Sequence, residues 1–360
     1  MRLLSTALCT TVAVALLAGC SGNMSQPGTS GPSAGGGTQS SFDSHGKFVP
    51  HFSYPASLVP KGQVGVRGQA LKTKFAPQAK KRAAEGGIYG SQFYAGLIAG
   101  YPHKNTSNGP PTCTLGASYA NSIAVDGKGN LIDPDGGSRS IIVYQGPGMC
   151  GSEIGEIPDY YGQPSDASSA DAATGEIAVG NIFGTSGAGG IAICSLSAGC
   201  TSYLTNSNMY EVAGVAMANN GDCWASATNS LGTATLTYFQ GCTGSGQAAT
   251  GFQNTYYGGL DIDANGNLVS IDAFTPAVRV YSGCNPNCTL VAGPFSLIGD
   301  AVFGHLNKQS MTFATGDYEL GQIDVYYYSP TSLTYWYSFN NGLDPSEDVE
   351  GAAYNPRSRQ

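Results

Sequence analysis

SIAVDGKGNLI at residues 122–132 and GLDIDANGNLV at residues 259–269 share one pattern. Each begins with alternating apolar residues, reaches a tight turn of Asp, Asn and Gly, and then starts a second apolar run. Glycine and asparagine tolerate the positive φ angles that a two-strand hairpin requires. Both stretches therefore predict a β-hairpin.

The hairpin recurs along the chain. Looser copies are AATGEIAV at 172–179, GVAMANNGDCW at 214–224 and AVFGHLNKQ at 301–309, and GAAYNP at 351–356 supplies a sixth first strand. The turn positions Gly129, Gly175, Gly221, Gly266 and Gln309 lie 46, 46, 45 and 43 residues apart. Repeats of roughly 40–45 residues with four short strands each are typical of β-propeller blades. A parallel β-helix is the alternative, but its rungs are much shorter.

Two copies share further features after the turn. A third strand rich in Val and Ile follows at 141–144 and 278–281, and Asp135 and Asp272 lie six residues after their turn glycines. In these features the sequence resembles NHL-repeat and YVTN-type propellers over about residues 86–360. The resemblance implies the fold and says little about activity. In three other copies a different residue occupies the aspartate position, namely Asn181, Ala227 and Thr315.

Six first strands predict an all-β, six-bladed propeller. The last first strand lies near the C-terminal end, so its outer strands must come from residues 88–93 and 96–101. Such closure joins both ends of the body in one sheet and leaves no open edge between the first and last blades. The composition agrees, because 52 Gly, 21 Tyr and only 11% charged residues favour strands and turns over long helices.

Residues 1–20 are typical of a lipoprotein signal peptide. Arg2 precedes an apolar run at 7–17 that is too short for a membrane span, and Leu-Ala-Gly leads into Cys20. These residues resemble a bacterial lipobox, which implies lipidation of the Cys20 thiol and removal of the preceding peptide. Ser21 replaces the aspartate of inner-membrane lipoproteins, so we expect an extracytoplasmic protein in the cell envelope, lipid-anchored to the outer membrane if the host has one. An ordinary secretion signal with a chance cysteine is the alternative.

Residues 21–85 predict a tether. Up to about residue 41 the segment consists mainly of Ser, Gly, Pro, Gln and Thr, the composition of a flexible linker. The remainder is basic, with eight Lys or Arg against two acids before residue 86. It either contacts anionic lipid head groups or cell-wall polymers, or is a solvated linker, and we prefer the linker. The body beyond is acidic, within a net charge of −8, and would repel nucleic acid.

Eight cysteines remain after Cys9 and Cys20 are set aside, and an even number in an exported protein indicates disulfides. In the blade scheme two pairs flank turns between third and fourth strands, one pair joins a second strand to a third, and the last pair follows by elimination. The predicted pairs are Cys194–Cys200, Cys284–Cys288, Cys223–Cys242 and Cys113–Cys150.

The residues just before the first strands should surround one mouth of the central channel. They are Asn121, Asp166, Glu211, Tyr256, Tyr257, Asp300 and Glu350. Converging carboxylates suit Ca²⁺ or a cationic ligand, because hard cations prefer several oxygen ligands. The tyrosine pair is expected to stack on a sugar or another flat ligand. Polar loops and abundant acids would also produce part of this convergence without any ligand.

The favoured function is a non-enzymatic binding module, expected to be monomeric, that holds a protein, glycan or small ligand through its channel face. Past residue 86 the only histidines are His103 and His305, which excludes a three-histidine zinc site, and His305 is predicted to be a turn residue. No cofactor other than a possible Ca²⁺ is indicated. The alternative is a metal-dependent, lactonase-like hydrolase. Its metal ligands would be Asn121, Glu211, Asp300 and Glu350.

Overall fold

The computed structural model describes residues 87–169, 175–185, 187–307, 309–345 and 347–355, with the backbone of 41–42 and 48–49. The predicted signal peptide, Cys20 and most of the predicted tether lie outside these residues. Within the tether segment Ser41–Phe42 pairs antiparallel with Phe48–Val49. Across the described part of the chain no helix is long and apolar enough to cross a membrane.

The body consists of six antiparallel sheets of four strands each, here called blades 1 to 6. Blade 1 contains Ala124–Val125, Leu131–Asp135, Ser140–Tyr144 and Glu153–Pro158; blade 2 contains Gly162–Ser169, Ile177–Gly184, Gly190–Ser195 and Gly199–Leu204; blade 3 contains Glu211–Met217, Cys223–Thr228, Ala234–Phe239 and Gln247–Ala248; blade 4 contains Leu260–Ile262, Leu268–Asp272, Ala277–Ser282 and Thr289–Ser296; blade 5 contains Gly304–Leu306, Thr312–Asp317, Gln322–Ser329 and Ser332–Phe339; blade 6 contains Val349–Tyr354, Gly87–Gln92, Leu97–Pro102 and Cys113–Gly116.

The blades form a closed ring. The first strand of each blade contacts the first strand of the next, and that of blade 6 contacts that of blade 1. In blade 6 the C-terminal strand pairs with the start of the body, with Ala353 opposite Tyr89. The predicted six-bladed propeller and its closure by N- and C-terminal strands are therefore confirmed.

The apolar core is divided among the blade interfaces, one cluster to each. Successive residues of a strand point to opposite faces of its sheet. Ile98 accordingly packs toward blade 1, whereas its neighbour Ala99 packs toward blade 5. Because both faces of a blade are buried, its inner strands contain apolar or small residues at almost every position.

Around the channel the first strands approach one another backbone to backbone. A Cβ on Gly214 of blade 3 would collide with the carbonyl oxygen of Gly258 and lie 2.9 Å from the Cα of Gly259. A Cβ on Gly351 would lie 2.9 Å from the carbonyl oxygen of Asn121 in blade 1. The Gly259 N–H donates to the Val302 carbonyl of blade 5 at 2.7 Å. These positions therefore require glycine because the neighbouring backbone fills the space.

The turns after the first strands are capped by a side chain. Asp126 accepts hydrogen bonds from two turn N–H groups, and Asp263 does the same in blade 4. In blade 5 this residue is Asn307, and the positive φ falls on Ser310 rather than on Gln309. The prediction that His305 is a turn residue was wrong: it lies in the first strand, because the turn begins two residues later.

The aspartate that ends a second strand ties two loops together. Asp135 accepts hydrogen bonds from the N–H groups of Ser118 and Tyr119, and also from the following turn. Asp272 makes the same contacts in blade 4. In blade 5 the equivalent residue is Asp317, which accepts from two turn N–H groups. The assignment of Thr315 to this position was wrong for two reasons, each worth one residue: the turn position is Ser310 rather than Gln309, and the turn is one residue longer than in blade 1.

Four disulfides are present within the described body. They join Cys113 to Cys150, Cys194 to Cys200, Cys223 to Cys242 and Cys284 to Cys288, the pairs expected from the sequence. Disulfides persist in oxidising environments, so they indicate an extracytoplasmic protein.

We expect Gly214→Ala to destabilise the ring by about 1–3 kcal/mol, because an added methyl group must displace the backbone of blade 4. Gly116→Ala is the control, since a Cβ there meets nothing within 4 Å and Gly116 has no positive φ. Thermal unfolding followed by circular dichroism would show a melting temperature lowered by several degrees for the first variant only. Equal melting temperatures for the two variants would contradict the close-approach argument.

Candidate functional site

One end of the channel is formed by two kinds of loop. Loops that lead into the first strands lie beside the turns between second and third strands, because the Gly136 N–H donates to Tyr119 and the Tyr318 N–H donates to Asp300. The Gly189 N–H of blade 2 likewise donates to Tyr210, in the loop that enters blade 3. We call this end of the ring the mouth face. All the predicted site residues lie on it or just inside it.

The predicted residues occupy several levels rather than one ring. A bulge interrupts the first strand at Ser165 in blade 2, Ala213 in blade 3 and Glu350 in blade 6. Asp166 follows the bulge residue of blade 2 and lies one position deeper in the channel. Glu211 precedes the bulge residue of blade 3 by two positions and lies nearer the mouth. The turn-based alignment missed this difference, because each bulge adds a residue that a turn does not register.

The predicted site residues that lie deeper in the channel hold neighbouring blades together. The buried Asp166 carboxylate accepts hydrogen bonds from the Val215 N–H of blade 3 at 2.8 Å and from the Ala167 N–H at 2.9 Å. Burial raises its pKa to about 6, although His305 and these donors favour the charged form. The Asn121 side-chain amide donates to the Pro164 carbonyl of blade 2 at 3.3 Å. These contacts give both residues a structural role.

The channel also contains a charged group that the sequence did not indicate. Nδ1 of His305 lies 3.6 Å from Oδ2 of Asp261, an oxygen that also accepts the Leu306 N–H at 2.7 Å. Burial alone would lower the pKa of His305, but Asp261 and Asp166 outweigh burial and raise it. One feature of the sequence does point to this pair: Asp261 and His305 occupy the same position in the first strands of blades 4 and 5.

Tyr256 and Tyr257 are packing residues. They are 6% and 1% exposed, and their ring centroids lie 4.3 Å apart. Both belong to a cluster with Val302 and Phe303. Burial raises the pKa of Tyr257, with further contributions from Tyr256 and Glu211. The ring faces are therefore covered in this structure and do not form an exposed surface on which a ligand could stack.

Glu350 is the most unusual carboxylate of the mouth face. It is 3% exposed, and its Oε2 has no hydrogen-bond partner in the described part of the chain. Burial, assisted by Asp348, raises its pKa to about 8. An unpartnered buried charge is costly, so the carboxyl group is held largely neutral near pH 7.

Tyr318 of blade 5 connects Glu350 to Asp300. Its hydroxyl is buried, and the carboxylate of Asp300 interacts with it. Burial raises the pKa of Tyr318, and the carboxylates of Asp300 and Glu350 raise it further. The three side chains thus bring oxygen atoms of blades 5 and 6 together at the mouth. The sequence analysis missed Tyr318. Its register error of two residues in blade 5 hid the fact that Tyr318 directly follows Asp317, the aspartate that ends the second strand.

The rim around this group is aromatic and acidic. Tyr210 is 45% exposed and Phe274 is also exposed. Further aromatic residues of the face are Tyr94, Tyr119, Phe183 and Tyr318. Its acidic residues are Glu211, Asp300, Glu319, Asp344, Glu347, Asp348 and Glu350. Of the four basic residues in the described body, Arg139 lies in a turn of this face and Arg279 is paired with Asp272 beneath it, so acids outnumber bases there and favour a negative potential.

The predicted metal ligands do not form a metal site. Among the described residues, no group of three or more His, Cys, Asp or Glu side chains is placed to hold an ion. Asn121 is engaged with blade 2, and Glu350 contacts the blade 5 side of the mouth. This geometry gives no support to Ca²⁺ binding or to the lactonase-like alternative.

Comparison with known proteins supports the fold alone. No family model matches the chain, and no curated protein matches it. A chain in the crystal structure of a nidogen/laminin complex is similar, with a TM-score of 0.58, 12% identity and coverage of 76% of this chain and 100% of that chain. A functionally unknown protein from Desulfotomaculum acetoxidans gives a TM-score of 0.48 and 14% identity, with coverage of 74% and 84%.

Glu350→Gln should change how stability depends on pH. The pKa of this carboxyl rises from 4.5 to about 8 on folding, so the folded state binds more protons and loses stability as pH rises between those values. The neutral variant escapes this loss. We expect its melting temperature to gain on that of the parent by about 3 °C or more between pH 5 and pH 8.5, roughly the effect of 1 kcal/mol in a domain of this size.

Glu153→Gln is the matched control, because Glu153 is exposed on the outermost strand of blade 1. This substitution removes the same charge from the surface and should leave the pH profile of the parent intact. Identical profiles for the parent and Glu350→Gln would show that Glu350 is not the buried acid described.

Proposed function

We propose that this protein is a non-enzymatic binding module that holds its partner on the mouth face. The observation that carries the proposal is that Tyr210 and Phe274 are exposed on a face whose charged side chains are mostly carboxylates. Aromatic residues supply large contact areas at binding surfaces, and a uniform negative potential attracts partners of opposite charge.

The architecture supports this function. Loops at one end of a rigid scaffold are a common place for binding residues. Here the scaffold is a closed ring whose blades are reinforced by four disulfides. The similar chain of known structure was crystallised in a nidogen/laminin complex, which is an assembly of two proteins. A protein partner is therefore the first class to test, and glycans and small ligands follow.

We further propose that Cys20 carries a lipid and that the tether displays the propeller from a membrane of the cell envelope. The support is the lipobox-like sequence before Cys20 and the Ser- and Gly-rich stretch after it. The four disulfides agree with an extracytoplasmic location. Membership of the NHL-type propellers is part of the same proposal, and rests on the turn-to-aspartate spacing of blades 1 and 4.

Tyr210→Ala should weaken binding of a mouth-face partner by about fivefold or more, because truncating a tyrosine that a partner buries commonly costs over 1 kcal/mol. The measurement is biolayer interferometry of the full chain against panels of envelope proteins, glycans and peptides. Tyr335→Ala is the matched control: Tyr335 is 44% exposed on the outermost strand of blade 5, against 45% for Tyr210.

A probe that loses affinity with Tyr210→Ala and keeps it with Tyr335→Ala supports the mouth face. The proposal fails if every probe that binds is indifferent to Tyr210→Ala, or responds equally to both variants.

Cys20→Ser should release the protein from membranes, because the lipid supplies the anchor. Expression in a Gram-negative host with radiolabelled palmitate would show label in the parent and none in the variant, and fractionation would move the variant out of the membrane pellet. Cys9→Ser is the control and should keep both label and location. Unlabelled parent protein would refute the anchor while leaving the binding module untouched.

A further inference from the structure

Exposed large apolar side chains are concentrated on one side of the mouth face. At the opposite end of the ring the described residues include only Leu196 and Met311, and Tyr160 lies apart at the mouth between blades 1 and 2. The other five occupy turns between second and third strands or loops that lead into first strands. We call them the apolar arc: Tyr210 and Leu231 of blade 3, Phe274 of blade 4, Ile298 in the loop between blades 4 and 5, and Leu320 of blade 5.

The arc follows three neighbouring blades. The first strands of blades 3, 4 and 5 contact one another in that order. In blade 3 the Tyr210 N–H donates to the Thr228 carbonyl at 2.7 Å, where the turn that contains Leu231 begins. Leu231 is 83% exposed, so the side chain rests on no other part of the described chain to any large extent. The blade 3 end of the arc is therefore open to a partner.

The middle of the arc is held together by a contact between blades 4 and 5. The Leu297 N–H donates to the Pro276 carbonyl at 2.9 Å, in the same turn as Phe274. Ile298 therefore lies beside that turn, and the exposed fractions of Ile298 and Phe274 are 49% and 38%. These two side chains continue the apolar surface from blade 4 towards blade 5.

Acidic side chains adjoin the blade 5 end of the arc. Leu320 directly follows Glu319 in the turn of blade 5, and the loop that enters this blade is bonded to the same turn. The loop before blade 6 also packs on it, because a Cβ on Gly321 would lie 3.0 Å from the Cα of Pro345. We call the acids of these three segments the acidic sector: Asp300, Glu319, Asp344, Glu347 and Asp348.

This layout selects among the partners that an exposed apolar surface could have. Apolar patches bordered by polar groups are typical of protein interaction sites. A lipid surface fits poorly, because anionic head groups and the acidic sector repel each other. A second copy of this chain would bring the same negative charge to the contact. A segment with apolar side chains on one side and Lys or Arg on the other complements both parts of the surface.

We propose that the apolar arc and the acidic sector together bind a cationic amphipathic segment of a partner protein. The proposal rests on the mouth face being the binding surface, and it names the chemistry of the partner. Apolar side chains of the segment would cover Leu231, Phe274 and Leu320, and its Lys or Arg side chains would lie against the acidic sector. Burial of apolar surface supplies affinity, and the charges set the orientation of the segment.

The test uses an 18-residue peptide of leucine and lysine whose sequence places the two residue types on opposite faces of a helix. Binding to the full chain is followed by fluorescence anisotropy. We expect saturable binding that Leu231→Ser and Leu320→Ser each weaken about threefold or more, because each removes an apolar contact. Leu196→Ser is the matched control, since Leu196 is 46% exposed at the opposite end of the ring and Leu320 is 50% exposed.

A second set of measurements tests the charges. Glu319→Gln should weaken the peptide about twofold or more, whereas Glu153→Gln, on the outermost strand of blade 1, should bind like the parent. Raising NaCl from about 50 mM to about 300 mM should weaken binding severalfold, because salt screens exposed charges. A peptide with glutamate in place of every lysine should not bind.

Thermal melts verify that each variant is folded, and both arc leucines are exposed, so neither substitution opens the core. No saturable binding by the parent, or equal weakening by Leu196→Ser and the two arc variants, would overturn the proposal. Vesicles of phosphatidylethanolamine and phosphatidylglycerol provide the membrane arm. Vesicle binding that requires Leu231, combined with a peptide that does not, would assign the arc to a lipid surface and overturn the proposal as well.

The outcome is separable from that of the broader proposal. A partner that requires Tyr210, found while the peptide is indifferent to Leu231→Ser and Leu320→Ser, would leave the binding module standing and remove the amphipathic segment. Loss of both would require that no probe or peptide responds to any of these substitutions on the mouth face.

Discussion

The backbone contact between neighbouring first strands is the constraint on which the structure depends. Each first strand lies so close to the next that Gly214, Gly259 and Gly351 have no room for a side chain. Hydrogen bonds cross between the blades at the same level, as from Gly259 to Val302. This approach sets the channel diameter, and it lets six apolar interfaces form simultaneously around one axis. The closed ring then removes the open edges between blades that separate sheets would expose.

Packing at the channel also explains the unusual chemistry there. First strands are too crowded for large side chains, so polar residues on them either bond to the next blade or remain enclosed. Asp166 and Asp261 bond to the next blade, since the carboxylate of each accepts a hydrogen bond from an N–H of that blade. Glu350 remains enclosed: the bulge of blade 6 falls on this residue, and its buried Oε2 makes no hydrogen bond within the described residues. The crowded channel therefore contains bonded carboxylates in blades 2 and 4 and an unsatisfied carboxylate in blade 6.

The two ends of the ring differ in charge and in composition. At the mouth face, loops between blades bring aromatic and acidic side chains together, whereas at the other end the turns between first and second strands are short and are capped by Asp126, Asp263 and Asn307. Lys104 and Lys128 lie toward that capped end. The fold by itself would be compatible with many functions.

Local sequence determined the hairpins, the number of blades, the closure through both ends of the body and three of the cysteine pairs, because each depends on nearby residues or on a regular period, and the pair of Cys113 with Cys150 followed by elimination. Those features follow from turn chemistry and strand alternation, which short segments specify. The burial of Glu350 without a partner for its Oε2, and the pairing of His305 with Asp261, required the tertiary structure. Bulges in the first strands and one longer turn in blade 5 shift the register by one or two residues, and in a strand a shift of one residue moves a side chain to the opposite face. Only the closed ring, in which every blade fixes the position of the next, decides which of these side chains meet.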